Sequence, residues 1–430
     1  METTMLQPVC ATPHPLVGEK VPLTIFDRAA IDIFVPTVRA YTAPAPSNEV
    51  VKDSLARALA QYPHLAGRLV VDDQGKRFLH LNNAGVLVVE VTVSADLADV
   101  LIDGAISNIG ELYPPLPEEN IGAPLFQVQL NRYRCGGLVM GIIYHHHVAD
   151  GTAMSSFVRV WSSAARGGKD FIVPVPAPHV HDRASTAIPR ATPMPVFDHQ
   201  NIEFNDGSSK SYEVVPLDRI KNLRVHFTPE FVSELKARVG FRSSTFQCLL
   251  AHVWKKLTAA RGLDPEEFTK VRVAVNCRGR TKPPVPIDFF GNMVLWAFPR
   301  LQVRDLLNST YGQVVDVIRN AVSRIDGEYI QSFVDFGAVA DMNGDGLAAT
   351  ASVAGTMMCP DLEIDSWLGF QFHEMDLGTG APCAFLPPDL PVEGLMVFVP
   401  SGSGKGGFDL FIALNEDHVN AFQQICLSVD

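Results

Sequence analysis

Apolar side chains recur every three or four positions over residues 49–62, which predicts an amphipathic helix that ends near Pro63. The next stretch, residues 65–72 (LAGRLVVD), reads as extended chain. The β-branched and apolar run 86–93 predicts a strand, and the nearly continuous apolar run 135–144 predicts a buried strand. This buried strand runs directly into three consecutive histidines.

The second half of the chain opens with two clear helix starts. Thr228-Pro229-Glu230 supplies an N-cap, a proline at the first helical position and an acid in the first turn. Ser244 followed by Gln247 is a capping box, and Gly262 closes that helix. Strands with interspersed helices follow, the strands being predicted at 271–276, 292–298, 394–399 and 408–414. The mixture predicts α/β or α+β layers in both halves.

A proline-rich stretch separates these two patterns. Residues 174–195 hold six prolines in 22 positions without any period, which is typical of a linker. A chain of 430 residues is too long for one compact core. We therefore predict an N-terminal domain over 1–173, a crossover linker over 174–215 and a C-terminal domain over 216–430.

The composition is typical of a globular protein, and the net charge disfavours polyanionic partners. Hydrophobic residues make up 47% and charged residues 19%. With 35 basic and 47 acidic residues the net charge is −12, and no run of Lys or Arg stands out. We therefore expect neither a nucleic acid nor a membrane partner. No signal peptide is visible, and the longest apolar runs reach about half of the ~20 residues that span a membrane, so we predict a cytoplasmic protein.

Three apparent binding motifs are rejected on their context. The seven cysteines include no CxxC pair, so reduced thiols are expected instead of disulfides or structural zinc. Residues 402–407 match GxGxxG, but strand-like runs lie on both sides, which predicts a hairpin loop. Residues 341–346 imitate the first half of an EF-hand loop, but its twelfth position is Ser352 instead of Glu.

The histidine segment 144–151 (YHHHVADG) is the strongest chemical signal in the chain. It could be a polar strand end, a metal site or a general base. Neighbouring strand residues face opposite sides, so at most two of these histidines could share a metal, and no Cys or Glu cluster stands nearby; we predict no metal. A histidine at a strand end, with an ordinary pKa of about 6.5, suits proton abstraction. Spacing alone leaves open whether Asp150 orients the imidazole or stabilises the turn.

Several segments together resemble one family. His146-xxx-Asp150-Gly151 resembles the HxxxDG signature of the plant BAHD acyl-CoA-dependent acyltransferases. The resemblance spans nearly the whole chain. The other segments that resemble the family are LAGRL at 65–69, SSTF at 243–246 with HVW at 252–254, and FGN at 290–292. Two further segments differ in part: NCRGR at 276–280 stands where the family has DGRxR, and DLGTG at 376–380 stands where it has DFGWG.

The resemblance implies a fold and a mechanism. It implies an α/β (α+β) chain of two similar chloramphenicol-acetyltransferase-like domains around a central solvent channel, with His146 as the general base of a direct transfer. Asp150 would be structural and paired with Arg278, and Asp376 would be structural as well. An aromatic acyl-CoA would be a co-substrate with no permanently bound cofactor, and the protein would be a monomer.

Coenzyme A is a polyanion, so its binding needs local positive charge in this acidic chain. Arg280 and Lys282 are predicted to supply it, with Ser243 and Ser244 at a helix start and with Trp367. A solvated charged loop and a plain N-cap are equally supported alternatives.

The acceptor is inferred from residues 359–367 (CPDLEIDSW), which resemble the CPxLxITSW region of the family. Shikimate- and quinate-using members place an Arg upstream, where this chain has Ser352, and a neutral Thr where it has Asp365. A carboxylate favours a cationic acceptor. A turn-capping role for the acids stays open. The predicted acceptor-binding residues are Asp365, Glu363, Thr37 and Tyr41.

The segment resembles most the grass agmatine and tryptamine hydroxycinnamoyl or benzoyl N-acyltransferases. The sequence therefore predicts transfer of an aromatic acyl group to a small-molecule amine, forming an amide. The alternatives are transfer to a hydroxyl, such as a phenylpropanoid alcohol or a shikimate-like acid, and a non-catalytic binding protein that keeps the fold. A nucleophilic Cys135 lacks any supporting triad spacing.

Overall fold

Two β-sheets form the framework of the protein. The computed structural model describes residues 1–429 except for 103–104, 107, 172–182, 200–203, 206–211, 351–352 and 403–405. Within these residues lie ten α-helices, whose bounds are Ile25–Ala29, Asn48–Leu59, Leu97–Val100, Gly151–Gly167, Pro229–Val239, Thr245–Arg261, Val303–Asn308, Tyr311–Ser323, Gly327–Asn343 and Glu416–Ile425.

The N-terminal sheet has six strands. Most neighbours are antiparallel, and Val86–Val93 and Phe126–Tyr133 are parallel. The strand that leads to the three histidines lies between Phe126–Tyr133 and Phe34–Tyr41, and all eight of its residues are buried. The order across the sheet is Glu2–Leu6, Val86–Val93, Phe126–Tyr133, Leu138–His145, Phe34–Tyr41 and Ala384–Leu386.

The C-terminal sheet has seven strands with two parallel pairings at its centre, between Phe268–Asn276 and Leu362–Ser366 and between Leu362–Ser366 and Leu395–Pro400. Its order is Ile220–Phe227, Phe408–Asn415, Leu395–Pro400, Leu362–Ser366, Phe268–Asn276 and Val294–Ala297, with Arg300–Gln302 also pairing to Phe268–Asn276.

Small strands complete the described structure. Lys20–Pro22, Arg77–His80 and Arg68–Val71 form a three-stranded sheet. The remaining strands pair in twos: Phe204–Asn205 with Ala348–Ala349, Glu213–Val214 with Thr356–Met357, and Leu101–Ile102 with Ala105–Ile106.

Helices cover one face of each large sheet and form its core. In the N-terminal half, Asn48–Leu59 packs on Gly151–Gly167, and the buried Trp161 indole donates a hydrogen bond to Ser54 Oγ at 3.0 Å. In the C-terminal half the central helix is Thr245–Arg261, which is buried along most of its length. Residues of both large sheets line a cavity between them.

The predicted elements agree closely with the structure. The helix predicted at 49–62 is Asn48–Leu59, the strand predicted at 86–93 is Val86–Val93, and Ser244 and Gln247 form the predicted capping box. The strand predicted at 135–144 begins three residues later, at Leu138. Gly136, at φ +85°, makes the hairpin turn before it.

The predicted fold class is confirmed, whereas the boundaries 1–173, 174–215 and 216–430 stay predictions. One strand from the third range, Ala384–Leu386, pairs with Phe34–Tyr41 in the N-terminal sheet, so the two halves share a strand. Within the described residues of the predicted linker, Arg183 is buried.

The rejected motifs have structural explanations. Strands Leu395–Pro400 and Phe408–Asn415 pair antiparallel on either side of the GxGxxG match, as a hairpin requires, although residues 403–405 lie outside the described chain. Asp341 and Asn343 belong to the last turn of a helix, where Asp341 pairs with Arg28 at 2.7 Å. Ser352 also lies outside the described residues. Among the described helices, none combines the length and apolar character that a membrane crossing needs.

Candidate active site

His146 lies just beyond the end of the histidine strand, Leu138–His145, and before helix Gly151–Gly167. Its backbone is held from both sides: the amide donates to the carbonyl of Ile33 at 2.9 Å, and the carbonyl accepts from Asn292 Nδ2 at 2.8 Å. These two bonds join residues from both halves of the chain. They fix the position from which the imidazole projects.

The imidazole of His146 is available as a base. Its Nδ1 is buried without a hydrogen-bond partner among the described residues, and the ring lines a cavity. Burial lowers the pKa of His146, and its own backbone carbonyl and the Asp150 charge oppose this effect in part. The ring is therefore neutral at neutral pH, which is the form that accepts a proton.

The cavity that His146 lines has a volume of about 360 Å³ and lies between the two sheets. Most of its wall is apolar, with a few polar groups, which is the usual character of a small-molecule site. The N-terminal half contributes His146, Tyr144 and Ile33, and the C-terminal half contributes Trp296 and Trp367.

Asp150 is committed to structure. It is the N-cap of helix Gly151–Gly167, where its side chain accepts from the amide of Ala153 at 2.9 Å, and it also accepts from the amide of Met293 at 2.9 Å. Arg278 donates to both of its oxygens, at 2.8 and 3.0 Å, and both side chains are buried. The predicted pairing of Asp150 with Arg278 is present. Since His146 Nδ1 has no partner, Asp150 does not orient the imidazole by a hydrogen bond.

A second buried polar cluster holds the chain segment that carries His146. Asp27 Oδ1 accepts from Asn292 Nδ2 at 3.0 Å and pairs with Arg183 at 3.1 Å. Arg183 also donates to the carbonyls of His147 and Val148. Sequence reasoning missed Asp27 and Arg183, because isolated charges in apolar or proline-rich segments carry no pattern. Asn292 stood in a noted motif but had no assigned role.

His145 and His147 lie on the opposite side from His146, next to Asp32. The ligand atoms of these three residues lie within 4.8 Å of one another, so an aspartate, which the sequence analysis did not consider, stands near the histidines. However, the amide of His147 donates to His145 Nδ1, so His145 Nε2 carries the proton and lies 3.2 Å from Asp32. Asp32 is also paired with Arg77, so its carboxylate already has a cationic partner.

Four side chains, Arg272, Trp296, Glu363 and Asp365, line another part of the His146 cavity, which we term the acceptor pocket. Arg272 pairs with Glu363 at 3.2 Å, and its guanidinium lies 3.8 Å from the centre of the Trp296 ring. Among the described residues, the carboxylate of Asp365 has no hydrogen-bond or ion-pair partner. Burial, followed by the Glu363 charge, raises the pKa of Asp365 to about 7.

Sequence reasoning found Glu363 and Asp365 but missed Arg272 and Trp296. A signal was available, because Arg272 stands at a polar position of the alternating strand VRVAVN, between the valines that face the core. A polar residue in a buried strand marks the face that turns away from the core.

Thr37 and Tyr41, which were predicted to contact the acceptor, have hydrogen-bond partners away from the cavity. The Tyr41 hydroxyl donates to the carbonyl of Met375 at 2.9 Å, and the Thr37 hydroxyl accepts from Arg39 at 3.0 Å. Both side chains are buried, and neither lines the cavity. Their strand turns Val35 and Pro36 toward the cavity instead.

The residues predicted to bind coenzyme A do not gather in one place. Arg280 and Lys282 line a separate cavity of about 880 Å³, where Arg280 donates to the carbonyls of Val322 and Ile325, each at 2.9 Å. Trp367 lines the His146 cavity instead.

The two predicted serines line neither cavity. The Ser244 hydroxyl accepts from the amide of Gln247 in the capping box, and Ser243 Oγ lies 3.0 Å from Cys248 Sγ. The plain N-cap therefore accounts for Ser244. Asp376 accepts from the amides of Gly378 and Gly380, at 2.8 and 2.9 Å, which holds a turn.

Comparison with known proteins extends these observations. The sequence profile of the Transferase family matches residues 1–426. Tryptamine benzoyltransferase 1 of Oryza sativa subsp. japonica is 59% identical and is matched over 100% of this chain and 97% of its own length. Tryptamine hydroxycinnamoyltransferase 2 of the same rice is also 59% identical and is matched over 96% of this chain and 94% of its own length. Agmatine hydroxycinnamoyltransferase 1, also of this rice, is 39% identical and is matched over 97% of this chain and 95% of its own length.

Solved structures show the same fold. Vinorine synthase superposes with a TM-score of 0.73 at 20% sequence identity, covering 98% of this chain and 95% of that one. The predicted two-domain architecture is consistent with this likeness.

The buried pair of Asp150 and Arg278 yields a stability prediction. Asp150→Ala leaves the guanidinium buried without its partner and removes the helix N-cap, so we expect a loss of about 3–5 kcal/mol in the free energy of unfolding. The measurement is the urea midpoint. The matched control is Glu266→Ala, which breaks the exposed pair with Arg304 and should cost less than about 1 kcal/mol. Equal losses in the two variants would contradict the structural role.

Proposed function

The chain belongs to the Transferase family, and we propose that it moves an aromatic acyl group, hydroxycinnamoyl or benzoyl, from a coenzyme A thioester to an amine such as tryptamine or agmatine. The chain is an acyl-CoA-dependent acyltransferase of the BAHD type. The observation that carries the proposal is one cavity that holds both a neutral imidazole and an unpaired carboxylate. The cytoplasmic location and the monomeric state stay predictions.

His146 acts as the general base in this proposal. The acceptor nitrogen attacks the thioester carbonyl while the neutral ring accepts its proton. A carbon–nitrogen bond forms and the carbon–sulfur bond breaks. The imidazolium then returns the proton to the coenzyme A thiolate, so the products are an amide and free coenzyme A. No acyl-enzyme is formed.

Asp365 and the rest of the acceptor pocket receive the amine. A carboxylate in an apolar cavity attracts a positively charged or N–H-donating group, since little water competes there. Glu363 is already paired with Arg272, which leaves Asp365 as the carboxylate of this pocket that is open to the acceptor. Arg280 and Lys282 remain candidates for contacting the phosphates of coenzyme A.

The first test removes the base. His146→Ala should lower kcat by about 10²–10⁴-fold while the thermal midpoint stays near that of the wild type. Cys135→Ser is the control. Cys135 is an exposed thiol that the sequence analysis rejected as a nucleophile, so this variant should keep full activity. Full turnover by the His146 variant would overturn the mechanism.

The second test removes the acceptor carboxylate. Asp365→Asn should raise the KM for the amine by about tenfold or more, because an amide offers no negative charge. The KM for the acyl-CoA should not change. Asp389→Asn, which alters an exposed carboxylate at the rim of the same cavity, is the matched control. An unchanged amine KM in the Asp365 variant would show that this carboxylate does not anchor the acceptor.

The third test is the pH profile with an alkylamine. The lowered pKa of His146 means that the base is already neutral at pH 7, so its titration does not limit the rate above that pH. Asp365 gains its charge as pH rises through about 7, and the amine, with a pKa near ~10.4, loses its proton at still higher pH. We expect kcat/KM to rise with pH in both ranges. Asp365→Asn should lose the step near 7, and a flat wild-type profile above pH 7 would refute the amine assignment.

A further inference from the structure

We propose that Arg272 sets the acceptor selectivity of this enzyme: by neutralising Glu363 it leaves the acceptor pocket too little negative charge to hold a second cation. The pocket therefore favours an arylalkylamine over a diamine or a guanidinium-bearing amine. This inference rests on the proposed amine acyltransfer. It adds a named residue and narrows the class of substrate.

Strand geometry brings the four pocket residues together. In the parallel pairing of the two central strands, Arg272 lies directly opposite Glu363. Side chains alternate between the faces of a strand, so Arg272 shares its face with Ala274, and Glu363 shares its face with Asp365. These four strand residues all line the cavity. The residues between and before them are buried in the core, namely Val271, Val273, Leu362 and Ile364. The positions are thus fixed by the sheet and not by a loop.

Arg272 is held in a defined position. Its Nη1 lies 3.2 Å from Glu363 Oε2, and its guanidinium carbon lies 3.8 Å from the centre of the Trp296 ring. The side chains of Arg272 and Glu363 are only 11% and 15% exposed, so solvent screens the pair weakly. A planar guanidinium suits both contacts at once, whereas an ammonium does not.

The charges in this part of the cavity nearly cancel. Glu363 is neutralised by Arg272, and Asp150 is neutralised by Arg278. Asp389 stands at the exposed rim. Among the described residues that line the cavity interior, Asp365 is the carboxylate left without a cationic partner. The interior therefore carries about one negative charge at most.

This balance separates two classes of amine. The attacking nitrogen must be neutral when it reacts, so tryptamine presents an uncharged indole to the rest of the pocket. Agmatine and putrescine carry a second cation, which must be desolvated in a largely apolar cavity. In the proposed function Asp365 receives the reacting amine, so with Glu363 occupied the second cation would have to compete with Arg272. The aromatic rings of Trp296 and Trp367, by contrast, offer surface to an indole.

The test is a charge-balance series on Arg272 and Glu363, with tryptamine and agmatine as the two acceptors and one acyl-CoA. Arg272→Met keeps an apolar stem over Trp296 but frees Glu363, so the ratio of kcat/KM for agmatine to that for tryptamine should rise by about tenfold or more. Most of the gain should be in the KM for agmatine. Arg272→Lys retains the charge and should stay much closer to the wild type.

The double variant Arg272→Met/Glu363→Gln removes both charges and restores the original balance. It should return the acceptor ratio to near the wild-type value, which a merely structural role of Arg272 does not predict. Glu363→Gln alone leaves Arg272 unneutralised and should depress agmatine turnover further. This variant keeps the proposal testable if Arg272→Met fails to fold, as judged by its thermal midpoint.

The outcomes separate this inference from the proposed function. An unchanged ratio in Arg272→Met, or a double variant that behaves like that single variant, would overturn the role of Arg272 while wild-type amide formation stands. A wild-type enzyme that acylates neither amine would instead overturn the proposed function.

Discussion

The buried ion pair between Asp150 and Arg278 is the interaction on which the rest of the site depends. It joins the start of helix Gly151–Gly167 in the N-terminal half to the turn that follows strand Phe268–Asn276 in the C-terminal half. Two charges leave water only when their partners are complete. Here Arg278 is completed by the carbonyls of Phe289 and Gly291, and Asp150 by two backbone amides. The turn that carries His146 is thereby fixed between the halves.

The cavity follows from the same architecture. Side chains alternate between the two faces of a strand, so strands of both large sheets bury some side chains in a core and present others to the space between the sheets. In the C-terminal sheet these side chains include Arg272, Glu363 and Asp365, which would be costly in either core. Charged side chains that can contact a substrate therefore lie between the sheets, where they do not disrupt the apolar cores. The strand Ala384–Leu386, shared by the halves, helps to hold the two walls together.

Much of the fold could be predicted from local patterns. The helix at 245–261 has its cap, its closing glycine and its apolar face within the sequence, and the strand 86–93 is visible from composition alone. The side-chain directions of Thr37 and Tyr41 could not be predicted, because the face that a strand turns to the cavity depends on the neighbouring strands. Ser244 was ambiguous because one hydroxyl can cap a helix or contact a ligand, and only its hydrogen-bond partner in the structure separates the two.

The sequence by itself determined the histidine motif, the family resemblance, the acidic pair near residue 365 and the order of helices and strands, because each depends on residues close together in the chain. Only the tertiary structure decided that Asp150 is not the partner of the imidazole, that Asp32 completes a group with His145 and His147, and that Arg272 cancels Glu363 while Asp365 stays open. The physical reason is that charge compensation acts over a few ångströms in space, and Arg272 and Glu363 lie 3.2 Å apart although 91 positions separate them along the chain.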